Sequence, residues 1–391
     1  VYADDLLRPW HDALVATLPP FEGFDAHTHI GSNDPDGFRC SPEELLASLA
    51  EVGARAAVFP MHEPDGYPPA NDRVIAEAAA SGGVLVPFCR LDPHADGAAA
   101  EAERCLDAGA RGIKLHPRAE QFRLEEPETE PIFAVAHERR VPVLVHAGRG
   151  IPALGRDALD LAGKYPDARI ILAHAAVCDL AWIWRYAADH PNLLFDTAWW
   201  NANDLLALFS LVPPGQIVWG SDAPYGTALQ SQIHTLRCAL QAGVDPAAMP
   251  VIAGEQMRRL VDREELVDLG PAPGGGSLSH DLLLERVSGY IQTATGRMML
   301  REESEEYIAL TRLACEVGED APQAPVCRSV LALLDRFERY IASRPEELEG
   351  ATGAQRFPGL HLVVTAGIVA MTPDVPVPPD PEPEDVGERQ R

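Results

Sequence analysis

Six of the thirteen histidines close apolar runs, and the first two stand in Asp25-Ala26-His27-Thr28-His29. Residues two apart on a strand share a face, so two imidazole nitrogens can converge on one metal ion. The same pair also serves as an ordinary hydrogen-bonding polar face, and the tripeptide alone leaves both readings open. The remaining run ends carry His62, Arg90, Lys114, His116, His146, His174 and Asp222. Chance would rarely place so many histidines at equivalent positions of successive segments. Three histidines and an aspartate would hold zinc or a similar divalent ion and leave room for a water, as a catalytic metal site requires.

Such a constellation needs elements that present strand ends to one another. Between Phe21 and Gly226, short apolar runs alternate with amphipathic, Ala-rich stretches, and the candidate strands are 23–30, 55–60, 83–89, 110–116, 141–146, 169–174, 192–197 and 216–221. They are rich in Val, Ile, Leu and Phe without strict polar alternation, which suits parallel strands buried on both faces. Ser41-Pro42-Glu43-Glu44 provides an N-cap, a proline at the first helical position and a capping-box glutamate. Helical patterns also cover 71–80, 98–108, 130–139, 157–164, 180–189 and 230–242. Strand ends then recur at the length of a β/α unit, and eight units predict a closed (β/α)8 TIM barrel whose C-terminal strand ends meet on one face.

An open doubly wound sheet would need a Gly-rich phosphate loop after its first strand, and that turn reads His29-Ile30-Gly31-Ser32-Asn33-Asp34. Gly220-Ser221-Asp222 does not make a G-x-S-x-G nucleophile elbow, and the segment from His137 lacks the second histidine of a metalloprotease helix. The barrel is expected over 1–269, followed by a Gly/Pro linker at 270–277. Leu and Val at helical spacing predict a small α-helical domain over 278–370, and the acidic, Pro-rich tail, 371–391, is expected to be disordered.

A formal net charge of −27, from 59 acidic and 32 basic side chains with no Lys/Arg cluster, argues against nucleic-acid binding. No apolar run of the roughly twenty residues needed to span a bilayer occurs, so no membrane partner is expected. The seven cysteines are odd in number and scattered without a C-x-x-C pair, and Val1 to Pro20 lacks the marks of a signal peptide. Both point to a reducing cytoplasm. A homo-oligomer stays open.

Asp-Ala-His-Thr-His at 25–29, Gly-Ile-Lys-Leu-His-Pro at 112–117, Val-His-Ala-Gly at 145–148, Ala-His-Ala at 173–175 and Gly-Ser-Asp-Ala-Pro at 220–224 resemble the amidohydrolase superfamily, in its amidohydrolase-related branch of metal-dependent hydrolases and decarboxylases. Coverage runs from about Phe21 to Leu260. The resemblance implies one divalent metal, foremost Zn2+ with Mn2+ or Fe2+ as substitutes, on His27, His29, His146 and Asp222. His174 and Asp222 are the implied catalytic pair beside the metal-activated water. In some superfamily members the lysine ending strand four is carboxylated and bridges two metals, but the Lys-Leu-His-Pro context here looks more like the single-metal branch. Lys114, His116, Arg149 and His62 are the candidate substrate contacts. Glu255 stands where the family usually has an asparagine before the last barrel helix, which weakens a structural cap more than the chemistry.

The function expected from these residues is hydrolysis of a small amide, lactone or ester. Non-oxidative decarboxylation of an aromatic or unsaturated acid uses the same ligands. The rival from another class is an inactive barrel serving as a binding or assembly module.

Overall fold

A computed structural model describes residues 4–148, 150–278, 280–343, 353 and 357–379. In chain order its helices are α1 (Asp4–Val15), α2 (Pro42–Ala50), α3 (Pro68–Ala80), α4 (Ala98–Asp107), α5 (Glu130–Arg139), α6 (Gly155–Lys164), α7 (Leu180–Ala187), α8 (Ala202–Leu211), α9 (Ala228–Gln241), α10 (Gln256–Asp262), α11 (Leu282–Leu300), α12 (Glu305–Ala314), α13 (Ala324–Ala342) and α14 (Leu360–Met371). Its strands are β1 (Gly23–Ile30), β2 (Ala54–Pro60), β3 (Leu85–Leu91), β4 (Gly112–Leu115), β5 (Pro142–Val145), β6 (Arg169–Leu172), β7 (Leu193–Asp196) and β8 (Ile217–Val218).

The strands pair in parallel in sequence order, β1 to β8. The segment after β8 closes the ring on β1: Ala26 N–H donates to Trp219 O and His29 N–H to Ala223 O, each at 2.8 Å, and Asp222 N–H donates to His27 O at 2.9 Å. The expected TIM barrel is therefore present, followed by further C-terminal helices. At α2, Ser41 Oγ accepts from Glu44 N while Glu44 caps Ser41 N in return, the capping box that the sequence spells.

The barrel interior is apolar below the site. Phe24, Phe59, Phe88, Leu144, Ile171, Leu194 and Val218 form one buried cluster, joined by Met257 and Leu260 of α10. Because side chains alternate along a strand, this packing leaves the C-terminal strand ends to point their polar groups into the mouth. Glu255 forms no side-chain cap on α10 and instead accepts from Arg259 Nε and Nη2 at 2.9 and 2.8 Å.

Two compact units divide the chain, 18–277 and a second one made of 1–17 with 278–391. The expected barrel range of 1–269 is corrected at its start, since α1 packs in the helical unit. Trp10 Nε1–H donates to Ser329 Oγ at 2.7 Å, Arg336 Nη1 donates to Leu6 O at 3.1 Å, and the Arg336 guanidinium covers the Trp10 ring. An amphipathic helix states which face it buries but not against what, so sequence adjacency to the barrel misled.

In the same unit α14 is apolar on every side and buried along nearly its whole length, packed with α11 and α13. Among the described residues no helix is long and apolar enough to cross a membrane. Residues 372–379 continue past α14 with Thr372 and Val375 buried, so the expected disorder does not begin at 371, and residues 380–391 lie outside the described residues.

Candidate active site

His27 and His29 leave β1 with ring centroids 5.2 Å apart, and both Nε2 atoms lie 3.2 Å from a single oxygen, Asp222 Oδ1. Asp222 follows β8 with a left-handed backbone, φ 59, and His174 after β6 has φ 57. Left-handed non-glycine residues are uncommon, Asp being tolerated better than most. His27, His174 and Asp222 offer three ligand atoms within 4.8 Å of one another. Side-chain exposure is 1% for His27, 5% for His29 and 7% for His174 but 19% for Asp222, so among these four the carboxylate faces the open mouth most.

His146 is joined to this group through His174, whose Nε2 lies 3.0 Å from His146 Nδ1, and its ring stacks on His116 at 3.9 Å. Lys114 is fully buried, its Nζ 3.2 Å from His27 Nε2 and 4.7 Å from the centre of the Phe59 ring. His62 keeps 30% side-chain exposure and lies 4.0 Å from Glu120. Arg149 lies outside the described residues.

Electrostatics follow from enclosure. Burial holds the His27 and His29 imidazoles well below their usual range, with Lys114 adding to the effect at His27 and His27 itself at His29. His174 is lowered by burial too, although Asp196 opposes the shift. Burial also pulls the Lys114 ammonium down to about 7, against the attraction of Asp222. Imidazoles whose charged form burial disfavours, gathered around one carboxylate, suit a divalent cation, which accepts nitrogen and carboxylate donors together. The residues present therefore fit the metal that the sequence implies.

Two groups escaped the sequence reading. Asp196, fully buried at the end of β7, accepts from His27 Nδ1 at 2.8 Å through Oδ2, and through Oδ1 from the backbone N–H of His174 at 2.8 Å and of Ala198 at 3.0 Å. Its signal was position, because β7 was the one strand whose end contributed no candidate. Glu120 accepts from Arg90 Nη2 at 2.8 Å and from the Tyr67 hydroxyl, on a loop where no periodicity marks it. Arg90 stands in register with Lys114 across β3 and β4. Its charge is thus partnered by Glu120 rather than offered to the mouth.

Comparison with curated proteins finds no match. Similar solved structures include an uncharacterised TIM-barrel protein from Bordetella bronchiseptica, 17% identical over 62% of this chain and 99% of that one, with a TM-score of 0.51. A 2,6-dihydroxybenzoate decarboxylase from Rhizobium is 16% identical over 62% and 99%, with a TM-score of 0.48. A dihydroxybenzoic acid decarboxylase from Polaromonas, with bound manganese and 2-nitroresorcinol, is 15% identical over 62% and 97%, with a TM-score of 0.49. The first of these likenesses speaks for the barrel fold. Residues 24–266, which hold each histidine and aspartate gathered at the mouth and all eight strands but for the first residue of β1, match the amidohydrolase family model, and the chain belongs to that family.

Proposed function

We propose that this chain is a metal-dependent hydrolase of a small amide, lactone or ester, with His27, His29, His146 and Asp222 as ligands of one Zn2+. The observation that carries the reading is the meeting of His27 Nε2 and His29 Nε2 on Asp222 Oδ1, each at 3.2 Å. When bound, such an ion polarises a carbonyl and brings the pKa of water toward about 7.

Asp222, the most open of the four residues meeting there, accepts the proton that the attacking water gives up and returns it to the leaving group. His174, whose Nδ1 lies 4.0 Å from Asp222 Oδ2, is assigned as the catalytic partner of that carboxylate beside the metal-activated water. Lys114, His116, Arg149 and His62 are assigned to the substrate's remaining polar groups. For Lys114 this means acting from a fully buried position beside His27, whose Nε2 lies 3.2 Å from its Nζ. Seven free thiols, six of them buried, accord with a cytoplasmic setting.

Metal analysis followed by a screen of lactones, amides, esters and small acids tests the proposal. One divalent ion per chain and incorporation of labelled water oxygen into product are expected. Carbon dioxide release without water incorporation would move the assignment to a decarboxylase. Purified protein that neither holds nor takes up zinc, manganese or iron would leave a binding module instead.

A further inference from the structure

A carboxylate and a carbonyl oxygen can only accept, so a ring nitrogen hydrogen-bonded to one carries the hydrogen, whereas an ammonium can only donate and its ring partner keeps the lone pair, as His27 Nε2 does toward Lys114 Nζ at 3.2 Å. His27 Nδ1 faces Asp196 Oδ2 at 2.8 Å, and His174 Nδ1 faces Ala198 O at 2.7 Å. In a neutral ring the opposite nitrogen then keeps its lone pair. For His174 that atom is Nε2, and it meets His146 Nδ1 at 3.0 Å, which must donate in turn. Asp196 Oδ1 meanwhile grips the N–H of Ala198 and of His174, fixing both the carbonyl-bearing residue and the strained turn that carries the ring.

We propose that Asp196 is a positioning residue that sets the tautomers of three histidines, His27 directly and His174 and His146 through Ala198, so that each carries hydrogen on Nδ1. The two oxygens divide the task. Oδ2 leaves the His27 Nε2 lone pair to accept from Lys114 Nζ at 3.2 Å, and Oδ1 orders the loop after β7 against the turn after β6. Full burial keeps water from competing for either oxygen. The proposal rests on the metal reading only where metal retention is measured, because a tautomer exists with or without an ion.

The decisive substitution is Asp196→Asn. Its amide must keep oxygen toward the two backbone N–H donors, which turns Nδ2–H2 onto His27 Nδ1 and drives that ring to the Nε2–H form. Histidine-labelled nitrogen NMR of the metal-free full-length wild type should show Nδ1–H at His27, His174 and His146. In Asp196→Asn the His27 signal should switch to Nε2–H, while far-UV circular dichroism stays native. Zinc retention against a chelator should weaken about 10–100-fold, the range seen when partners of metal-bound histidines are removed.

An Nε2–H tautomer at His27 in the wild type overturns the proposal even if the variant fails to fold. So does a folded Asp196→Asn protein with unchanged tautomers. If the wild type holds no zinc, the hydrolase reading fails, and the NMR result still decides the role of Asp196.

Discussion

Asp222 combines a left-handed backbone, contact with two imidazoles and the greatest side-chain exposure of the four clustered residues. Its replacement must respect that backbone, which favours asparagine over alanine. Asp222→Asn should keep the folded circular dichroism spectrum and lower kcat/KM about 100- to 10,000-fold on whichever substrate the screen returns, the span of a lost general base. A folded variant within about 10-fold of wild type would remove Asp222 from the proton path. Residue types and strand-end positions made His27, His29, His174 and Asp222 legible as one cluster before any fold was known. Glu120 was hidden because a loop carries no period, and its partner Arg90 comes from a strand thirty residues earlier in the chain.

At the scale of elements, the eight strands were readable because buried parallel strands are uniformly apolar and short. The closing contact of β8 on β1 was not, since it joins segments at opposite ends of the barrel. Gly254 shows how such a contact constrains composition. It lies in the turn of π-helix before α10, against the start of β1, where a Cβ would stand 2.0 Å from Glu22 O and 3.0 Å from Phe24 N. Both obstacles are backbone and cannot rotate away. Gly254→Ala should destabilise the protein by roughly 3 kcal/mol in urea titrations. A Cβ at Gly163 of α6 would meet nothing within 4 Å, and Gly163→Ala should stabilise by about 0.5–1 kcal/mol through helix propensity. Equal effects at the two sites would refute the packing account.

For the whole molecule, a metal bound only by the folded barrel adds stability by linkage, about 2.7 kcal/mol at one hundred times its Kd. For a unit of the barrel's size that corresponds to roughly 5–10 °C. Scanning calorimetry of zinc-loaded protein with and without chelator should show a lower midpoint after stripping, and an unmoved midpoint would argue against a site of that affinity.

What the sequence determined by itself was local and periodic: eight apolar strands, the helices with strong start signals, and a set of histidines and an aspartate at repeated strand ends. Tertiary structure decided what depends on partners distant in sequence. It assigned α1 to the helical unit through Trp10 and Ser329, and it tied Glu120 to Arg90. It also brought Asp196 to His27 across 169 residues. Periodicity shows which face of an element is buried, because that is a property of one segment. Hydrogen-bond direction, and with it the tautomer of each ring, belongs to a pair of residues that only the closed barrel brings together.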